Sequence, residues 1–538
     1  MVEAYRSGAR ESRREAQGPE ADDPQRADGY SRADGLLHLH RQTGGRVDIR
    51  RKGILTAGVV RAHDAAMRKF LIVTTFLAAP LAAQDHPADK VSAERLQADV
   101  EKLVSFGTRH TLSEQNNPER GIGAAVDWGA ETFREISAEC DGCLEVVLPE
   151  TTVEGRRIPT PTRLRNAVAI QKGTERPDEV VIVQGHIDSR VTDPLDWESD
   201  APGANDDGSG TALVIEAARV LSERRYPTTI IYALLSGEEQ GLYGGRLMAD
   251  WVESQGYTVK AVLNNDVVGN SCGSDGFCDA DNVRVFSEGP RADLTESIRA
   301  AQRREGGEND SPSRNLSRWL DGTADETEGG LDVRQIWRVD RMGRGGDQIP
   351  FLEKGYPAVR ITVAVEDYEH QHQDLRVEDG TTYGDTVDEM DFDYLAKVTQ
   401  LNVRALDRLA RTPMPPAPVA RAAVQTFTEI EWAPVKGADS YRVVMRRTDA
   451  PYWDPEQEVV VAQGGAEGAK PIAGSFDLDG NIRTMSDSQT NVVTFGGIRG
   501  DDWIFGVSAC SGDMCSPVAS AVPAGSFVPI AEEGDDTA

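Results

Sequence analysis

Three stretches of this chain, VVIVQG (180–185), TTIIYALLS (228–236) and KAVLN (260–264), are continuous apolar runs. They are too short for helices and too unbroken for strands that face water on one side, so they read as parallel strands buried on both faces. Between them lie amphipathic patterns. GSGTALVIEAARVLSE predicts a helix from Ser209, and GLYGGRLMADWVES predicts another over 241–254. The alternation of strand, loop and helix predicts an α/β domain with a mixed, mainly parallel central sheet flanked by helices. Upstream, Leu96, Val100, Leu103 and Val104 share one helical face after a capping Ser92, and a second helix is predicted over 122–137. The runs LEVVL, RNAVAI and EVVIVQG suggest an antiparallel edge leading into the parallel strands. Downstream, IPFLEKGYPAVRITVA (349–364) reads as helix, turn and strand, and residues 393–410 as a long helix. The Gly-, Asp- and Arg-rich segment 270–347 shows one helical stretch, 291–304. It is expected as an irregular insertion, either a wall of a substrate cleft or a solvent loop.

The pattern changes at TPMPPAPVARA (412–422), whose proline density stiffens the chain and marks a linker. Beyond it, strand-like runs around Trp432, Tyr441, Asn491 and Trp503 are separated by turn residues. Residues 423–530 therefore predict a small all-β sandwich, which resembles a fibronectin type III module. The acidic tail 531–538 is expected to be disordered. At the other end, Met67-Arg-Lys followed by FLIVTTFLAAPLAA (70–83) has the basic, apolar and small-residue parts of a secretory signal peptide (67–83), cleaved near Ala83. Its apolar run is short for a membrane span, and no later segment approaches one. Residues 1–66 lack a hydrophobic period and are read as a mis-assigned start or a disordered extension, leaving 84–411 as the main domain.

Charge narrows the partners. A formal net charge of −31 over 538 residues opposes binding to nucleic acid or anionic membranes. The six cysteines fall in close pairs, Cys140 with Cys143, Cys272 with Cys278 and Cys510 with Cys515. Only the first has Cys-x-x-Cys spacing, so local disulfides are expected in preference to structural zinc, which implies an oxidising compartment. The sequence is silent on oligomeric state.

The chemistry is concentrated at the ends of the predicted strands, where ligands bind in open α/β sheets. His-Ile-Asp occupies 186–188, Asn-Asp-Asp-Gly-Ser-Gly 205–210, Gly-Glu-Glu 237–239 and Asn-Asn-Asp 264–266. One imidazole and several carboxylates suit a divalent metal. Asp188, two residues beyond His186, is placed to orient its ring. Asp206 offers two oxygens that could bridge two cations, and Asp207 could cap the helix that follows. In Glu238-Glu239 successive side chains diverge, so one can hold a metal while the other handles a proton.

GHIDS, PGANDDGSGT, LLSGEEQGLYG and NNDVVGN, in this order and spacing, resemble the co-catalytic zinc aminopeptidases of peptidase family M28 over roughly residues 90–410. The resemblance implies two zinc ions, with His186 and Asp266 on one, Asp206 bridging, Glu239 on the second and Glu238 as general base acting on a water. It implies a zinc-dependent exopeptidase acting at peptide N-termini, which the signal peptide would make secreted or periplasmic. A glutaminyl cyclase or a carboxypeptidase on the same fold, or a non-catalytic receptor or adhesion module, are the alternatives. The family's late ligand is a His before an Asp-Thr pair. Here YEHQHQDLRVEDGTTYGDT (368–386) offers both His370 and His372, of which His372 is preferred, with an insertion before Asp385-Thr386. Tyr368 or Tyr383 could supply an oxyanion donor, and the GGDQIPF stretch keeps the family's Asp as Asp347.

Overall fold

The computed structural model describes residues 86–455, 457–462 and 490–530, together with the backbone of 482–486. The expected signal peptide, the extension before it and the acidic tail lie outside these residues. Eight strands form a central sheet: β1 (Glu145–Val147), β2 (Ala167–Gln171), β3 (Arg176–His186), β4 (Thr228–Leu235), β5 (Thr258–Asn265), β6 (Asn282–Phe286), β7 (Asp332–Ile336) and β8 (Ala358–Val363). Their spatial order is β1-β2-β4-β3-β5-β8-β6-β7. The inner strands β4, β3, β5 and β8 run parallel, and β1, β2 and the β6–β7 pair join them through antiparallel contacts.

The three apolar runs are strands because both of their faces are covered. All eight residues of β4 are buried. Helices α1 (Ala93–Val104), α2 (Ile122–Glu139), α3 (Gly208–Leu221), α6 (Pro312–Asp325) and α8 (Phe392–Leu409) contribute to the core on one face. On the other lie α4 (Tyr243–Ser254) and the short α7 (Ile349–Glu353). Because β3, β4 and β5 are parallel, the residues that follow them emerge at one edge of the sheet. Asp207 fixes that edge: its carboxylate caps α3 through Gly210 N–H (2.9 Å) and accepts from His186 N–H (2.9 Å) and Val267 N–H (3.1 Å). No helix among the described residues is long and apolar enough to cross a membrane.

Two expectations are corrected. Residues 270–347 are not an irregular insertion, because they hold β6, α5 (Glu296–Glu305), α6 and β7 and extend the sheet. The hydrophobic pattern missed α6 because it buries Ser313, Arg314, Asn315 and Ser317, polar side chains whose partners come from elsewhere. The linker is also shorter than the composition suggested. Val419–Arg421 already pairs with Phe427–Trp432 as a strand, beginning directly after the last proline. The linker's start is anchored, since the buried Lys260 amine donates to the carbonyls of Leu409 (3.0 Å) and Thr412 (2.5 Å).

Beyond it, two antiparallel sheets enclose a core that includes Ile430, Trp432, Tyr441, Phe495, Phe505 and Val507. They are clamped onto the α5–α6 region. Arg446 Nη2 reaches both oxygens of Asp310 (2.7 and 2.6 Å), Asn315 Nδ2 donates to Ser520 Oγ (2.8 Å), Trp319 Nε1 to Cys515 O (3.2 Å), and Arg291 to Ser526 O (2.6 Å) and Val528 O (2.9 Å). All three expected disulfides form.

Candidate metal centre

The sheet edge collects two clusters that share one residue. His186, Asp206 and Asp266 form the first and Asp206, Glu239 and His372 the second, each with ligand atoms within 4.8 Å of one another. Asp206 divides its oxygens between them: Oδ1 lies 3.1 Å from His186 Nε2 and Oδ2 lies 2.8 Å from His372 Nε2. Asp266 Oδ1 is 3.8 Å from His186 Nε2, and Glu239 Oε1 is 3.0 Å from His372 Nε2. His370 is not brought in. Its Nδ1 meets Gly384 O (2.8 Å), and its Nε2 faces Asp367 (3.6 Å) and Glu389 (3.4 Å). Neither Tyr368, which is exposed, nor Tyr383, stacked under Arg376, donates to either cluster.

Asp188 lies beneath His186. The His186 Nδ1 is 3.1 Å from Asp188 O and 3.5 Å from its Oδ1, while Asp188 also accepts from the N–H groups of Glu238 (3.2 Å) and Glu239 (3.3 Å). One carboxylate thus sets the His186 ring and the turn carrying both glutamates. Burial alone would lower the His186 pKa, but its bonds to Asp188, Asp206 and Asp266 outweigh burial and raise it well above the usual value. Glu238 points its carboxylate into the same space and has no ion pair or side-chain hydrogen bond among the described residues. Burial, with Asp266, Glu239 and Asp347 nearby, pushes its pKa well above the ordinary carboxylate range.

The residues fit divalent cations. Asp188, Asp206, Asp207, Glu239, Asp266, Asp347 and Asp385 are buried around the two clusters with Arg109, Arg190 and Arg360 among their cationic neighbours, a density of buried carboxyl groups that bound cations would offset. Glu239 Oε1 is buried and meets only the His372 ring, the other ligand of its cluster, at 3.0 Å. A His and two carboxylates on each side, one carboxylate common to both, is a donor set for two zinc-like ions.

The sequence named Asp385 and Asp347 without a role at the centre, and did not single out Gln371 or Arg360. Asp385 accepts from Asn205 N–H (2.8 Å) and Asp206 N–H (2.7 Å), fixing the shared carboxylate's backbone, and burial raises its own pKa to about 6. Gln371 donates to Asp206 Oδ2 (2.8 Å) and is itself held by Arg344 (2.9 Å). Arg360 contacts Asp266 Oδ2 at 2.5 Å. A charged residue inside the apolar run AVRITV is the signal that could have found Arg360, because a buried arginine demands a partner. Asp347 is buried with both carboxylate oxygens unpaired, its pKa raised to about 7 by burial and by Asp188 and Asp266.

Comparison with known proteins adds a family. Residues 166–391 match the model of peptidase family M28. A probable zinc metalloprotease of Leptosphaeria maculans is 44% identical over 370 residues, spanning 68% of this chain and 86% of that protein. A probable zinc metalloprotease of Pyricularia oryzae is 45% identical over 379 residues, spanning 68% of this chain and 75% of that protein. Among solved structures, the Legionella pneumophila LapA aminopeptidase aligns over 60% of this chain and 71% of its own, with 18% identity and a TM-score of 0.42.

Proposed function

The chain belongs to peptidase family M28, and we propose that it is a secreted, zinc-dependent exopeptidase that hydrolyses N-terminal peptide bonds at a centre built for two cations. The observation that carries this reading is the division of Asp206 between two His-and-carboxylate clusters, with the uncommitted Glu238 beside them. His186 and Asp266 would hold one zinc ion, Glu239 and His372 the other, and Asp206 both. Two such ions polarise a scissile carbonyl and lower the pKa of water toward neutrality. The protein's own residues supply the proton chemistry and the alignment. Glu238 accepts a proton from the attacking water and returns it to the leaving amine, a role that needs a carboxylate free of other partners and a raised pKa. Asp188 keeps the His186 ring turned and the Glu238 backbone fixed, and Asp385 holds the Asp206 loop. Secretion is supported by the apolar segment after Met67 and by the three disulfides. The aminopeptidase preference follows the family resemblance of the four motifs.

Two measurements test the reading on the purified mature chain. Glu238→Gln should keep its zinc content and lose about 10²–10⁴ in kcat; full activity would remove Glu238 from the base role. Peptides with free and blocked N-termini should separate, only the free ones releasing an amino acid, and only without chelator. Release from the C-terminus, or conversion of N-terminal Gln with no amino acid released, would replace the aminopeptidase reading.

A further inference from the structure

A two-stranded hairpin, Glu150–Gly155 paired with Ile158–Arg165, stands outside the central sheet, and its tip reaches the metal centre. Leu164 seats it against the turn that carries the two glutamates: a Cβ on Gly237 would meet the Leu164 Cδ1 at 2.5 Å, and Tyr243 Oη donates to Glu154 O (3.5 Å). Arg156 and Arg157 make the hairpin's two-residue turn. Arg156 is exposed, whereas Arg157 is half-buried and donates its Nη1–H to the carbonyl of Glu239 (2.7 Å). Arg157 has no other hydrogen bond and no ion pair among the described residues.

Other arginines at the centre are already committed. Arg190 pairs with Glu239 (2.9 Å) and Arg360 with Asp266 (2.5 Å), and Arg344 spends its Nη1 on Gln371 (2.9 Å) and Glu366 (3.4 Å). Arg157 keeps its Nε–H and Nη2–H edge. With that same edge Arg291 grips both oxygens of Asp293 (2.8 and 2.7 Å) elsewhere in the molecule. A guanidinium drawn half out of water beside a cluster of acids, and pairing with none of them, is suited to an anion from outside the chain. The planar donor fork selects a carboxylate.

We propose that Arg157 is a specificity-determining residue that receives a carboxylate of the peptide substrate, carried within one residue of the scissile bond. The inference rests on the exopeptidase reading above. Two substrate groups have this chemistry: the side chain of an N-terminal Asp or Glu, and the free C-terminus of a dipeptide. Either lies a few bonds from the bond being cut, beside acids that repel it unless a cation intervenes. The pair formed with Arg157 is a charge-assisted hydrogen bond, which should favour the carboxylate about tenfold to a hundredfold in kcat/KM.

The test measures kcat/KM of the purified mature protein, zinc supplied, on two pairs of peptides. Glu-Ala amide against Gln-Ala amide varies the side chain, and Leu-Ala against Leu-Ala amide varies the terminus. In wild type one pair should favour the carboxylate by at least about tenfold, and which pair does so identifies the source. Arg157→Gln should bring that ratio close to one, and Arg157→Lys, a cation without the fork, should keep part of it. Each ratio is taken within one variant, so a general loss of rate cancels. No preference in either wild-type pair, or a wild-type ratio in Arg157→Gln, would overturn the assignment. Cleavage of N-acetyl-Leu-Ala as fast as Leu-Ala would instead defeat the aminopeptidase reading, while the Leu-Ala ratio would still report on Arg157.

Discussion

Replacing Arg446 by Met tests how firmly the C-terminal sheets are clamped to the peptidase region. The Arg446 guanidinium spans Asp310 at 2.7 and 2.6 Å, and the two side chains are 3% and 1% exposed. Removing one member of such a pair leaves a buried charge, at a typical cost of about 3–5 kcal/mol. Two neighbours soften the loss: Ser520 Oγ still donates to Asp310 (3.1 Å), and Arg318 stands 3.9 Å away. The expected cost is therefore near the lower end, about 3 kcal/mol. Asp310→Asn with Arg446→Met together removes both charges and should cost much less than the sum of the single changes, a coupling of about 2 kcal/mol. Urea unfolding followed by tryptophan fluorescence is suited to this, since Trp453 lies 5.4 Å from the Arg446 guanidinium and Trp319 bonds the C-terminal sheets at Cys515 O. Zinc content should not change, because neither residue touches the metal centre. A single-variant cost under about 1 kcal/mol, or additive costs in the double variant, would show that the pair does not join the two parts.

Asp385→Asn should lower zinc affinity or kcat by about 10–100-fold, because an amide nitrogen would then face one of the two N–H groups, of Asn205 or Asp206, that the carboxylate now receives; wild-type zinc binding in this variant would refute the positioning role. Glu288 is buried beside Arg291, and burial raises its pKa from 4.5 to about 8. The folded state thus binds this proton more tightly than the unfolded chain, so its contribution is complete below about pH 4.5 and is lost as pH rises through about 8. Glu288→Gln, which stays neutral, should match wild type near pH 5 and exceed it by on the order of 3 kcal/mol at pH 8, and a pH-independent difference would sink the assignment.

What could be read from the sequence was what local pattern determines. VVIVQG and TTIIYALLS announce themselves as central strands because both faces are buried, and the acids and histidine at their ends follow from the parallel topology. The helix α6 was illegible for the opposite reason. Its buried Arg314 and Asn315 are satisfied by Ser287, Asn309 and Ser520, and a polar residue's burial cannot be inferred when one partner lies about two hundred positions away. The supporting residues of the centre were hidden likewise. Asp385 and Gln371 matter through single contacts to Asp206 across distant loops, and nothing in their immediate neighbours predicts those contacts.

The clamp between the two parts changes what counts as one molecule. A chain ended at residue 411 would leave Arg291, Asp310, Asn315 and Trp319 facing water where partners now stand, and would lose the carbonyl of Thr412 that receives the Lys260 amine. The proline-rich segment therefore marks a join in the sequence that is not a seam in space. Neither side of it has a finished surface, so the two parts should unfold as one cooperative unit.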